Sequence, residues 1–114
     1  MESSERNFSE AVREIVAHIP EGLTLSYGVV AERAGFPGSA RAVGSFLRQN
    51  HDSGIPCHRV IRGCGRIGTY NRGGEDGKAK LLKQEGVPLD RKIRAGKSTW
   101  SVSRMVSRFA NLNM

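Results

Sequence analysis

Pro56-Cys57-His58-Arg59 sets a thiol beside an imidazole and among arginines. The thiolate is the nucleophile, and nearby positive charge or a hydrogen-bonded histidine lowers a thiol pKa from about 8.5 toward neutrality. The chemistry to expect is attack by sulfur on an electrophilic carbon. An imidazole acting as base needs an acid to orient it. Glu85, at the end of a predicted helix that can pack back on the cysteine loop, is the candidate. On residue types alone a plainer reading stays open, with Cys57 a small buried apolar residue and His58 a satisfied surface side chain. Cys64 has no histidine beside it and reads as a passive small residue. Cys57, His58 and Cys64 lack the paired spacing of a structural zinc site, so no metal is expected.

Several elements must position this thiol. Phe8, Val12, Ile15, Val16 and Ile19 recur at helical spacing and predict an amphipathic helix over 5–19, ended by Pro20-Glu21-Gly22. Leu23 to Leu25 is an extended entry. Ser26 is the N-cap of a second helix carrying Val29, Val30 and Ala34 inward. Gly35-Phe36-Pro37-Gly38 stops that helix, and Ser39 caps a third through Val43 and Leu47 to Arg48. Two short helices across a glycine-containing turn form a helix-turn-helix or simply a packed pair. Residues 62–74 hold five glycines among thirteen. That stretch is expected to be a loop outside the core, with at most a short hairpin to Arg59–Ile61. Ala79, Leu81 and Leu82 predict a helix from Gly77 to Glu85, with Gly86 as its C′ residue. Residues 93–102 read as two short strands forming a wing, and Met105, Val106, Phe109 and Leu112 as a last amphipathic helix.

The chain has 114 residues, and its 38% apolar and 25% charged composition is that of one folded core. No repeat or linker marks a second domain, so 1–114 reads as a single unit. Eighteen Lys and Arg against eleven Asp and Glu give a formal charge of +7, which points to a polyanionic partner. The charge is uneven: residues 1–20 sum to −2, while 40–72 and 87–114 each sum to +5. The first helix should therefore face away from the polyanion. No apolar run reaches the ~20 residues of a membrane span, and the first residues do not resemble a signal peptide. A cytoplasmic protein with free thiols is the expectation.

Ile55-Pro56-Cys57-His58-Arg59-Val60 resembles the active-site signature of the O6-alkylguanine-DNA alkyltransferases. Ser26-Tyr27-Gly28, Ala40-Arg41-Ala42-Val43-Gly44, Arg48-Gln49-Asn50, Gly68-Thr69-Tyr70-Asn71-Arg72-Gly73-Gly74 and Leu81-Leu82-Lys83-Gln84-Glu85-Gly86 are similar to the family's other blocks, in its order. The resemblance covers about residues 8–90 and leaves 91–114 unassigned. It implies a mainly α fold, a winged helix-turn-helix DNA-binding domain with short β-hairpin elements, acting as a monomer. The N-terminal ribonuclease-H-like domain that most members carry is expected to be absent.

The implied partner is double-stranded DNA containing O6-alkylguanine, bound through the minor groove. The alkyl carbon is shielded in the stacked duplex, so the nucleotide must be flipped into a pocket. By resemblance, Tyr27, Ser39, Ala40, Arg41, Gly44 and Arg48 meet DNA, with Arg41 filling the space left by the flipped base and Arg48 on a phosphate. Tyr27, Leu47, Cys57, Val60, Tyr70 and Asn71 would form the alkylguanine pocket. Asn50 would tie the cysteine loop to the reading helix, while Cys57, His58 and Glu85 form the relay that yields thiolate. The alkyl group ends on Cys57 as a thioether, so the protein acts once and needs neither metal nor organic cofactor. This reading requires room beside the sulfur for a purine.

Departures from the family pattern are local. His51 stands where the family has Pro, the loop to Cys57 is about one residue short, and Arg62, Arg66 and Arg72 make the pocket-side loop more basic. The extra charge should make DNA binding more sensitive to salt. The alternative function is that of the alkyltransferase-like proteins. These small relatives usually carry Trp in place of the cysteine, bind the lesion without repairing it, and recruit nucleotide excision repair proteins. Length favours that role and Cys57 favours transfer. A plain winged-helix regulator would leave the Cys-His-Arg block without a purpose.

Overall fold

The computed structural model describes residues 7–52 and 54–103. Asn7 sets the start of the first helix: its side chain accepts a hydrogen bond from the Glu10 N–H at 2.8 Å, and α1 runs Phe8–Ala17. The cap makes α1 shorter than the apolar spacing alone predicts. After a short strand β1, Leu25–Ser26, the Ser26 hydroxyl accepts from the Val29 N–H at 3.1 Å and opens α2, Tyr27–Arg33. The next helix, α3, is Ala40–Arg48. Its N-cap position is Ser39 as expected, but the Ser39 side chain makes no capping bond.

The chain then passes through a 3₁₀ turn, Cys57–Arg59, into β2, Val60–Ile61. The hairpin expected between Arg59–Ile61 and the glycine-rich stretch does not form. β2 instead pairs in parallel with β1, Leu25 opposite Val60 and Ser26 opposite Ile61. That pairing seats the cysteine turn against the entry to α2. The glycine-rich stretch is not wholly outside the core either, because Ile67 is fully buried. Glycines on both sides let the backbone turn that one apolar side chain inward, with Gly65 and Gly68 both at positive φ.

The helix expected from Gly77 starts earlier, and α4 is Gly74–Gln84. Gly73 and Gly74 take positive φ and swing the loop into the helix, whose first turn carries Glu75 and Asp76. Gly77 has a steric role inside α4: a Cβ there would stand 2.8 Å from the Arg72 carbonyl oxygen. A hairpin follows, β3 Leu89–Arg94 and β4 Lys97–Val102. It begins four residues earlier than predicted. Ala95 and Gly96 both have positive φ at its turn, the pattern whose twist matches paired strands. The hairpin is docked by backbone bonds, Ile67 N–H to Trp100 O at 3.0 Å and Val102 N–H to Gly65 O at 2.9 Å.

Val12, Val16 and Ile19 before β1, Leu25, Val30, Val43, Ile61, Ile67, Leu82 and Val102 join one buried cluster. The final helix predicted from Met105 to Leu112 lies outside the described residues. Among the described residues, no helix is long and apolar enough to cross a membrane.

Candidate functional site

Cys57 is buried at the start of its 3₁₀ turn, and its position is fixed from α3. Asn50, just past α3 and itself buried, donates from Nδ2 to Cys57 Sγ at 3.1 Å and to the Asp52 carbonyl at 3.2 Å. Asn71 reaches back from the glycine-rich loop, donating to the carbonyls of Arg48 and Asn50, each at 2.9 Å. Asn71 thereby satisfies carbonyls at the C-terminal end of α3. Asn50 and Asn71 together bind three loops into one support for the thiol.

His58 turns the other way. Its Nε2 lies 2.8 Å from Glu85 Oε2, just beyond the C-terminal end of α4, as expected from sequence. Arg59 closes a fork on the same carboxylate, Nε to Oε1 at 3.0 Å and Nη2 to Oε2 at 2.8 Å, and donates to the Ile19 carbonyl at 2.7 Å. Burial raises the Glu85 carboxyl, but the bonds and charges of Arg59 and His58 outweigh it and hold the group below its ordinary value. Cys57 Sγ takes its hydrogen bond from Asn50, not from His58.

The thiol pKa departs from the sequence expectation. Burial pushes Cys57 up, and this exceeds the lowering by Asn50, Arg72, Lys78 and its own backbone N–H. The arginine of the motif points elsewhere: Arg59 is spent on Glu85. The positive charges near the sulfur are Arg72 and Lys78. Lys78 is a further member of this site, beyond the residues the family blocks mark. It is 1% exposed, with Nζ 3.4 Å from Tyr27 Oη and 3.4 Å from the Thr69 carbonyl. Burial lowers its pKa to about 8, against the opposing pull of Cys57 and Glu75. A helical face shared with Leu82, four residues on, was the available sign that residue 78 points inward.

A cavity beside Cys57 is lined by Tyr27, Gly44, Leu47, Arg48, Thr69, Tyr70, Asn71 and Lys78. Tyr27, Leu47, Tyr70 and Asn71 are thus brought together as expected. Val60 is not, because its place in β2 buries it fully in the core opposite Leu25. Burial raises the Tyr27 and Tyr70 phenols, so both hold their protons. The free space is about 20 Å³, room for one water and not for a purine. In front lies an open groove of about 690 Å³ between α2, α3 and the glycine-rich loop. Ala40, Arg41, Gly44, Arg48, Arg62 and Arg66 border it, and Tyr27, Gly44, Arg48 and Thr69 border both spaces. Ser39 immediately precedes α3 as its N-cap but does not line the groove. A Cβ on Gly44 would meet Tyr27 at 3.9 Å, ordinary contact, so internal packing does not demand a glycine there. Among the described residues, no three His, Cys, Asp or Glu side chains gather where they could hold a metal ion.

Fold and site together define a four-helix domain with two small two-stranded sheets and a cysteine pocket opening beside α3. The family profile described as "6-O-methylguanine DNA methyltransferase, DNA binding domain" matches residues 7–87, and the chain belongs to that family. A methylated-DNA–protein-cysteine methyltransferase of Methanothermobacter thermautotrophicus is 46% identical over 84 residues, covering 73% of this chain and 46% of the relative. The mouse protein of the same name is 43% identical over 90 residues, covering 75% of this chain and 43% of its own length. The chain thus spans less than half the length of these curated relatives.

Among solved structures, S. pombe Atl1 bound to damaged DNA containing O6-carboxymethylguanine aligns with a TM-score of 0.74 and 28% identity. That alignment covers 87% of this chain and 93% of Atl1. Mycobacterium tuberculosis OGT in complex with DNA aligns with a TM-score of 0.65 and 40% identity, over 71% of this chain and 49% of OGT.

Proposed function

We propose that this protein binds DNA through the α2–α3 groove, takes a flipped O6-alkylguanine into the Cys57 pocket and accepts the alkyl group on sulfur. The observation that carries the reading is Cys57 held by Asn50 at the foot of a cavity that shares its rim with the open groove. With Nε2 engaged by Glu85, Nδ1 is the nitrogen left on His58 to take the thiol proton through one water. The thiolate attacks the alkyl carbon, the carbon–oxygen bond breaks, and its electron pair stays on guanine O6. A proton from the pocket neutralises that charge. Tyr27 is placed to donate it, because its oxygen already accepts from Lys78 and its own proton is free to point elsewhere. The product is a thioether with no good leaving group, so each molecule acts once.

The 20 Å³ cavity requires that Tyr70 and Asn71, or Tyr27, draw aside when the base enters. Arg41 is exposed on the groove side of α3 and suits the space the base vacates. Arg41→Ala is expected to slow transfer roughly 10-fold or more while weakening binding to undamaged duplex only slightly, since one phosphate contact is a small share of the total. Single-turnover kinetics beside binding isotherms separate the two effects. An equal loss in both would make Arg41 a phosphate clamp.

The second reading is a lesion sensor without transfer. It is favoured by the Atl1 likeness, whose 87% coverage of 114 residues must run past the family match into the β3–β4 hairpin. Partner proteins of excision repair would belong to that reading. One experiment decides. The protein is incubated with an oligonucleotide bearing O6-methylguanine, and the peptide around Cys57 is weighed. Gain of one CH₂, absent in Cys57→Ala, means transfer. Lesion-selective binding at unchanged mass means a sensor.

A further inference from the structure

The β3–β4 hairpin follows the matched region 7–87, and the cysteine pocket uses none of its charge. Strand alternation assigns its residues to two faces. Leu89, Arg91, Trp100 and Val102 share one face. It turns to α4: Trp100 Nε1 donates to Asp76 at 2.9 Å, Lys83 Nζ sits 4.0 Å from the Trp100 ring centroid, and Val102 is buried. Asp90, Lys92, Arg94, Lys97, Thr99 and Ser101 share the other.

That second face joins the groove. Arg66, Lys92, Arg94, Thr99 and Ser101 surround one hollow of about 160 Å³. Arg66 also borders the α2–α3 groove, together with Arg41, Arg48 and Arg62. A cationic track therefore runs from α3 across the glycine-rich loop onto the hairpin. Two acids lie along it. Glu75 meets Arg66 at 3.6 Å and accepts from the Trp100 N–H, and Asp90, at the far end, accepts from Ser103. Lys92 and Arg94 are exposed, and among the described residues neither is held in an ion pair. Backbone bonds and the Arg66–Ser101 bridge hold the hairpin to the loop, so its charges keep a fixed place relative to the groove.

We propose that this hairpin face is a second phosphate-binding surface, which grips the duplex flanking the lesion through Lys92 and Arg94. A polyanion with regularly spaced charge is the partner that a track continuous with the groove fits. The inference rests on the reading of that groove as the DNA face.

The test is the salt dependence of binding to an undamaged duplex that extends past the hairpin on both sides. Wild type, Lys92→Gln/Arg94→Gln and the opposite-face control Arg91→Gln are compared. Each lost phosphate contact lowers the slope of log affinity against log salt by about 0.9. The double variant is expected to lose about 2 in slope, while Arg91→Gln stays at the wild-type value and Lys92→Arg/Arg94→Lys retains it. Matching urea midpoints keep folding out of the comparison. An unchanged slope in the double variant would overturn the proposal and leave the face to an acidic protein. So would equal falls per removed charge in the double variant and the control, which would mean net charge alone. Preference for O6-methylguanine duplex is read on the same proteins. Its absence in wild type would remove the proposed repair function, while the slopes still decide the hairpin.

Discussion

Replacing Lys78 with methionine is expected to make the protein more stable and slower in alkyl transfer at the same time. A buried ammonium whose pKa drops from 10.5 to about 8 carries a charging cost in the folded state. The drop corresponds to about 3 kcal/mol, the upper bound on what a neutral side chain of similar volume can recover. Below pH 8 the wild type bears that cost in full. Between about pH 8 and 10.5 the folded protein has released the proton and the unfolded chain still holds it, so wild-type stability rises with pH across that window. Urea denaturation at a series of pH values should give Lys78→Met a higher midpoint at pH 7 and no rise between 8 and 10.5.

The chemical loss has two sources. The Lys78 charge is one of those that pull the Cys57 thiol down against its burial, so removing it lowers the thiolate fraction and with it the transfer rate. Tyr27 also loses the ammonium that occupies its oxygen. If transfer rates were unchanged in a folded Lys78→Met protein, the lysine would be packing alone.

Glu85→Gln is expected to fail on both counts. The carboxylate satisfies the Arg59 fork and the His58 ring together, and the three side chains are only 11% to 17% exposed. Breaking a buried pair from one side leaves the other charge unpartnered and costs about 3 kcal/mol. The sign with pH is opposite to that of Lys78. Glu85 is held below its ordinary value of 4.5 when folded, so its contribution is present above that value and disappears as pH falls through the folded one. The stability gap between wild type and Glu85→Gln should therefore be widest near neutrality and close in acid. Transfer should fall about 100-fold or more, because His58 loses the partner that fixes its base nitrogen. A small loss in rate at full stability loss would assign Glu85 to the scaffold only.

Much of the site is legible in sequence wherever a local rule and a chemical need coincide. Ser26 is both the cap of α2 and the residue before Tyr27, and Ala40–Arg48 is bounded as its turn residues dictate. The Glu85–His58 pairing follows from needing an acid near an imidazole. What escaped depends on which side chain takes which partner. Arg59 stands two residues after the cysteine but is drawn away by Glu85, while Arg72 and Lys78, fifteen and twenty-one residues past the cysteine, supply charge instead. Val60 and Ile67 sit deeper than the local pattern predicts because the parallel β1–β2 pairing and the hairpin docking are long-range, and neither leaves a periodic trace in so few residues.

The near-closed cavity also bears on how the molecule survives while idle. On the proposed function the sulfur is spent by its first reaction, and oxidants or stray alkylating compounds in solution would disarm it before it met a lesion. Cys57 waits behind Tyr27, Tyr70 and Asn71 with room beside it for a single water, whereas Cys64 stands exposed a few residues away. Under the proposed function, entry of a base is the event that unlocks the sulfur, and shelf life and selectivity come from the same door.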